Sequence, residues 1–355
     1  MISDSSLNFL KTLLATPSPS GFEREIRGKI ADYVAPFADT VTTDALGNLI
    51  ACINPSGSPR IMLQGHMDEL GVIIVHISDD GCCYFKPIGG WDTAVLIGQR
   101  VSVHTRGGII SGVIGRKPIH LMTADEKGKG GDIYDLWIDI GATGGKDEVK
   151  AAGVRVGDPA TIEYGMTPLL GDRIAARALD NRIGAWIVME ALRRVKERHP
   201  SAAVYAVATV QEEIGLRGAG VSAYGIAPDL GIAVDVTFAS DMPGTDKRRV
   251  GDIKIGGGPT ISRGAFCNRP LADRLESIAE EHGLPFQYEA SPGSTGTDAD
   301  AIQNSRAGIA TGVVGIPLRY MHTPCEIISL TDADNAAELL ALTCASLSIN
   351  DDWTP

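Results

Sequence analysis

The sequence predicts an α/β layered domain interrupted by an all-β insertion. Three observations predict it. Up to about residue 70, and again from about residue 166, apolar strand-like runs alternate with amphipathic helical segments, the pattern of a layered sheet. Between them, residues 71–165 carry short alternating runs such as VIIVHI and RVSVHT, broken by turn residues, with no long amphipathic helix. A chain of 355 residues also suits about two domains. The predicted division is 1–70 plus 166–355 for a discontinuous α/β domain and 71–165 for the β-rich insertion.

The elements follow in order. Ser20 opens an S-G-F-E run with Glu23 three residues on, which predicts a capping box. Ile26, Ile30, Tyr33 and Val34 then recur at helical spacing. Residues 41–53 read as extended, and 60–65 as an apolar strand. The clearest helix is 183–195, where Ile183, Ile187, Val188, Ala191, Leu192 and Val195 form one stripe and basic residues gather late. Strands are predicted at 203–210, 230–234 and 308–315. Helices are predicted at 271–282, with Gly283 as a stop, and at 331–348.

Composition narrows the function. Apolar residues make up 44% and charged residues 21%, the balance of a globular protein with a large core. A net charge of −12 argues against a nucleic-acid partner, which needs a basic surface. No apolar run reaches the roughly 18 residues of a membrane span, and the N-terminal MISDSSLNFLKTLL lacks the basic start and long apolar stretch of a signal peptide. The six cysteines form no CxxC pair and read as reduced thiols, so the chain is expected to be cytoplasmic.

Five short motifs place acids and histidines at or just beyond the ends of apolar runs. In IMLQGHMDELG, His66 ends one strand and Asp68 follows at i+2, on the same side of an extended chain. Asp68 can then orient one ring nitrogen while the other binds a metal. Alone, His-x-Asp fits a hydrogen-bonded turn better than a metal site. Asp180 of ARALDNR precedes the clear helix, where an ordinary N-cap is the simpler account. Glu212 and Glu213 of VQEEIG follow an apolar strand, so one suits a ligand and the other a base, with the choice open. Asp235 closes GIAVD, where a charge needs a partner, and His322 lies in RYMHTP. Together, four of these five metal-ligand candidates fall where open α/β sheets collect ligands. The donor set of imidazoles and carboxylates suits zinc, cobalt or manganese. Five ligands exceed the usual three of one catalytic zinc and fit two ions if a carboxylate bridges.

TPSPSGFE, GHMDELG, PIGGWD, GRKPIHL, ALDNR, QEEIGLRGA, the VDV strand, GGGP, GTDAD and RYMHTP together resemble the tetrahedral metallo-aminopeptidase family, nearly end to end. Members are also called glutamyl aminopeptidases, deblocking aminopeptidases or endoglucanase-M-like proteins. The resemblance implies a three-layer catalytic domain of the zinc-peptidase, phosphorylase/hydrolase-like type, with the insertion as a β-barrel that serves dimerisation. It implies that His66 and Asp235 hold one metal, Glu213 and His322 the other, and that Asp180 bridges. It makes Glu212 the general base and Asp68 the residue that orients His66. It further implies peptide substrates with a free N-terminus, a cis peptide after Asp180, and dimers assembled into a hollow dodecamer.

Rival readings differ in layout. A deacylase or carboxypeptidase of similar ligand type usually carries its extra domain after the third and fourth ligands, whereas here the insertion falls between His66 and Asp180. A glycosidase needs two carboxylates flanking a sugar bond and no metal. A metal-stabilised scaffold without activity has no use for the spare glutamate. Asp298 and Gly256–Gly258 are each expected either to line the cleft or to serve a loop, and His120 to be structural.

Overall fold

The computed structural model describes residues 2–124 and 131–355. Its centre is an eight-stranded sheet. In chain order the strands are β1 (Thr40–Thr43), β2 (Leu49–Ile53), β3 (Arg60–His66), then, after the insertion, β12 (Ala203–Thr209), β13 (Leu230–Phe238), β14 (Thr260–Gly264), β15 (Gln287–Ser291) and β16 (Ala310–Leu318). Their spatial order is β1-β2-β12-β3-β13-β16-β14-β15. The four central strands β12, β3, β13 and β16 run parallel, so their C-terminal ends share one edge. The chain leaves β3 for a strand on each side of it, and such a switch point opens a crevice at those ends.

The intervening strands β4 (Gly71–Ile77), β5 (Cys83–Ile88), β6 (Arg100–Thr105), β7 (Gly108–Arg116), β8 (Leu136–Asp139) and β9 (Pro159–Ile162) close into a barrel. Its core of Val72, Ile74, Phe85, Val101, Val103 and Ile138 is separate from that of the main sheet. The fold is thus α/β with an inserted closed barrel, as the sequence predicts. A small third sheet joins β10 (Thr167–Pro168), β11 (Arg173–Ala176) and β17 (Glu326–Ser329).

Helices cover both faces of the main sheet. On one side lie α1 (Asp4–Ala15), α2 (Arg24–Val34), α3 (Leu179–Arg198), α5 (Arg269–Glu281) and α7 (Leu330–Ser346). On the other lie α4 (Arg217–Ile226) and α6 (Ala299–Gln303). Strand residues alternate between the faces as the two-residue period demands. Ile61 and Leu63 meet the first layer while Met62 meets the second. Among the described residues no helix is long and apolar enough to cross a membrane.

The structure changes several local expectations. Residues 41–53 are two antiparallel strands, β1 and β2, turned at Asp44, whose carboxylate accepts from the amides of Leu46, Gly47 and Asn48. The capping box at Ser20 does not form. Ser20 donates its hydroxyl to Asp68 at 2.6 Å, and Glu23 accepts from the amides of Gly21 and Gln211. Both side chains are drawn to the sheet edge, and α2 begins at Arg24 without a side-chain cap. The glycines 256 and 258 make a turn whose amides donate to Asp332, at 2.7 and 2.8 Å.

Helix α3 lies against β3 backbone to backbone. A Cβ on Gly65 would come within 2.4 Å of the Gly184 carbonyl carbon and 2.6 Å of the Ala185 nitrogen. Only glycine allows this approach beside His66. Gly65→Ala should therefore push the helix away and destabilise the fold by about 1–3 kcal/mol or more, the range for overpacked cores. Differential scanning calorimetry should show a lowered melting temperature, and an unchanged one would contradict this packing.

Candidate metal centre

The register of the parallel strands levels the first residues of the site. Thr209 of β12 faces His66, and Ala233 of β13 faces Gln64, so Asp235 stands level with His66 two residues on. Glu212 and Glu213 follow β12, and Asp180 sits at the entry to α3 where the backbone is not yet helical. His322 lies four residues past β16 at a positive φ of 60°.

These six side chains meet at one end of the sheet. His66 Nε2 lies 3.3 Å from Asp180 Oδ1, 3.7 Å from Glu212 Oε2 and 3.9 Å from Asp235 Oδ1. His322 Nε2 lies 3.4 Å from Asp180 Oδ2 and 3.7 Å from Glu213 Oε2. Asp180 thus turns one oxygen to each imidazole. Three overlapping ligand groups result among the described residues: His66–Asp180–Asp235, Asp180–Glu213–His322 and His66–Glu212–Glu213. Each ring uses its other nitrogen as a donor. His66 Nδ1 donates to the Asp68 carbonyl at 3.2 Å and His322 Nδ1 to the Gly90 carbonyl at 2.8 Å. A carbonyl oxygen can only accept, so when either ring is neutral its Nε2 keeps the lone pair for the site.

A surrounding shell of acids holds these residues by their backbones. Asp68 accepts from the amide of Glu212 at 3.1 Å and of Glu213 at 3.3 Å. Its carboxylate is also 3.4 Å from His66 Nδ1. Glu326 is buried, with Oε2 accepting from the Asp180 amide and Oε1 from the His322 amide, both at 3.0 Å. Asn181 donates to the Val234 carbonyl at 2.7 Å. Arg182 is fully buried and pairs with Glu69, which also receives Arg177 and the Ser18 amide. The ALDNR motif therefore places a candidate ligand, ties it to β13, and anchors it beside Asp68. The peptide bond between Asp180 and Asn181 is cis.

The electrostatics describe a basin short of positive charge. Burial, with Asp235, Asp298 and Asp180 nearby, pushes Glu212 up to about 9 despite His66. Burial and Asp180 hold Asp235 at about 8, and burial with Asp180 and Glu212 holds Glu213 well above the usual carboxylate range. Burial would also raise Asp180, but the two imidazoles outweigh it and keep that carboxyl below its ordinary value. Burial would lower His66, yet Glu212, Asp180 and Asp68 hold it well above the usual histidine range. The buried Glu213 Oε1 has no hydrogen-bond partner. Among the described residues, neither lysine nor arginine lines the cleft of about 510 Å³ that opens over the site. Packed carboxylates of this kind need protons or cations. Two imidazoles and several carboxylates fit divalent ions of the zinc class.

Asp298 lies behind the ligands, not on the cleft wall. It is buried and accepts from the Thr209 hydroxyl at 2.7 Å and from Gln64 Nε2. His120 sits on the barrel and is exposed. Two functional candidates escape sequence reading: Glu289 and Glu326. Glu326 follows His322 by four residues, and only the fold shows that its carboxylate reaches two separate segments. A larger cavity of about 910 Å³ opens between residues 17–32 and the barrel, away from the ligand groups.

Glu326→Gln removes one of the two amide acceptors, because an amide nitrogen cannot accept. Losses of this outer kind typically cost 10- to 100-fold in metal affinity. Calorimetric zinc titration of the metal-free chain should show about that loss, and wild-type affinity would contradict the clasp.

Comparison with known proteins identifies the family. The family model for the M42 glutamyl aminopeptidases matches residues 47–339. The lysyl aminopeptidase of Pyrococcus furiosus is 38% identical over 333 residues, covering 93% of this chain and 94% of that protein. A TET aminopeptidase from a marine sediment archaeon of the Thaumarchaeota superposes with a TM-score of 0.93 at 37% identity, covering 98% of this chain and 97% of the other. The Pyrococcus horikoshii TET1 peptidase, described as assembling into a tetrahedron or a large octahedral shell, superposes at 0.85 with 34% identity over 96% of this chain and all of that one. Motifs, fold and full-length similarity coincide, and the chain belongs to the M42 glutamyl aminopeptidase family of peptidases.

Proposed function

We propose that the chain is a two-metal aminopeptidase that removes N-terminal residues from peptides. In this reading His66 and Asp235 hold one divalent ion, Glu213 and His322 the other, and Asp180 bridges them. The observation that carries it is the split of one carboxylate between two rings: Asp180 Oδ1 lies 3.3 Å from His66 Nε2 and Oδ2 3.4 Å from His322 Nε2. Zinc, cobalt or manganese suits this donor set. Bound there, the ions would polarise the scissile carbonyl and make the attacking water more acidic.

The remaining steps fall to side chains. Glu212 Oε2, 3.7 Å from His66 Nε2, is placed to take a proton from the attacking water. It then gives that proton to the leaving amine as the C–N bond breaks. Burial and neighbouring carboxylates raise its proton affinity, and divalent charge beside it would act in the opposite direction and keep it ionised to accept that proton. Asp68 keeps His66 oriented and fixes the loop of both glutamates through their amides.

Residues 1–70 and 166–355 form the catalytic domain in this reading, and 71–165 the barrel used for dimerisation. Dimers would assemble into a tetrahedral dodecamer, a reading supported by similar peptidase structures, one described as a dodecamer and one as able to assemble into a tetrahedron. The six free cysteines support a cytoplasmic location. The names of relatives differ over the residue removed, since the family is called glutamyl and one relative lysyl.

Glu212→Gln should retain both metal equivalents, measured by elemental analysis, and lose about 100- to 10,000-fold in kcat on aminoacyl p-nitroanilides. Near-normal turnover in that variant would sink the base assignment. Chelation should abolish wild-type hydrolysis, and cellulose should remain uncut with or without chelator.

A further inference from the structure

Within the cleft, one acid stands apart from the three ligand groups. Glu289 of β15 extends its side chain past β14 and over Gly315 of β16 to β13. Its Oε1 accepts from the Thr237 hydroxyl at 2.6 Å, and its Oε2 from the Thr260 hydroxyl at 3.1 Å and, more loosely, from Ser262 at 3.5 Å. All three hydroxyl residues are buried. Space for this arrangement comes from Gly315, where a Cβ would fall 2.3 Å from Thr260 Oγ1 and 3.2 Å from Glu289 Oε2. The carboxylate is therefore held at a fixed point by neutral donors. Among the described residues, no cation within ion-pair distance neutralises it.

Its position fits one part of a substrate. Gly315 faces Asp235 across the ladder, one strand spacing of roughly 4.8 Å away. Glu289 thus stands about one side-chain length from the candidate metal ligands. The α-amino group of a substrate lies only two bonds from the scissile carbon and stays close to the reacting centre. The end of a long N-terminal side chain does reach such a point. Val236, Phe238 and Met321 also line the cleft and supply apolar surface for a methylene stem.

We infer that Glu289 selects substrates whose N-terminal residue carries a cationic side chain, lysine or arginine. The inference rests on the aminopeptidase reading and adds the substrate class to it. An ammonium or guanidinium would pair with the fixed carboxylate in a cleft that, among the described residues, is lined by no lysine or arginine, while an acidic N-terminal residue would meet like charge.

The test uses the metal-loaded full chain with Lys-, Arg-, norleucine-, Leu- and Glu-p-nitroanilides. Norleucine keeps the lysine stem without its charge. Wild-type kcat/KM for Lys should exceed that for norleucine by about tenfold or more, with Glu lowest, because desolvated charge pairs discriminate at that level. In Glu289→Gln the Lys-to-norleucine ratio should fall toward one, and in Glu289→Lys the Glu substrate should overtake Lys. A wild type that prefers norleucine, Leu or Glu to Lys overturns the inference alone. An unchanged ratio in a folded, metal-replete Glu289→Gln does the same. Should the variants not fold, competitive inhibition of the wild type by free lysine and norleucine decides: tighter inhibition by lysine is expected, and equal inhibition overturns the inference. A metal-replete wild type that hydrolyses none of the substrates overturns the aminopeptidase reading and this inference together.

Discussion

Asp68 accepts three hydrogen bonds, from the Ser20 hydroxyl and from the amides of Glu212 and Glu213, while its carboxylate also stands against His66. Glu326 does the corresponding work on the other side, accepting from the amides of Asp180 and His322. Much of the site depends on this relation. Buried acids of an outer layer hold the backbone of the inner layer, and the inner side chains are left free to face one another. Carboxylates crowded at such distances repel and lose hydration, so nothing in their mutual interaction would keep them together. Amide donors on fixed segments supply the restraint, and the two imidazoles, each committed through Nδ1 to a backbone carbonyl, supply the directional elements.

The barrel belongs to this construction. Its Gly89–Gly90 turn presses against the inner layer, where a Cβ on Gly89 would meet Leu70 at 2.2 Å and Glu213 at 3.4 Å, and one on Gly90 would lie 3.3 Å from His322 Nδ1. Gly90 also provides the carbonyl that fixes the His322 ring. Trp91 donates its indole N–H to the Gly71 carbonyl at 2.8 Å, tying the turn back to the first barrel strand. An insertion that begins a few residues after His66 therefore returns to orient His322, a residue more than two hundred positions later in the chain.

Legibility in the sequence followed the range of each interaction. The central strands and α3 were readable because their apolar period is local. Five motif residues could be grouped because strand ends in a parallel sheet converge. The division of labour between Glu212 and Glu213 was not readable from spacing, and geometry narrows it little, since both amides bind Asp68 and both side chains join ligand groups. The capping box at Ser20 failed for an instructive reason. A local partner, the amide three residues on, lost to a buried carboxylate 48 residues away in sequence. Strands β14 and β15 and the acid Glu289 were not anticipated, because QYEAS at an edge is half polar and its role depends on hydroxyls from two other strands.

The two kinds of acid in the cleft are separated by how their charge is balanced. Asp180, Asp235, Glu212 and Glu213 lie close enough to share cations, and their perturbed proton affinities express that proximity. Among the described residues, Glu289 is balanced by hydroxyl donors alone, which solvate a carboxylate without cancelling its charge. One end of the cleft thus concentrates negative charge around candidate ion sites, and the other keeps a single anchored charge available to whatever enters. A free peptide N-terminus is cationic over much of the neutral range, so the acidic cleft attracts it in either case. In the aminopeptidase reading, discrimination among such peptides would then fall to Glu289, for which the described residues supply hydroxyl donors and no ion-pair partner.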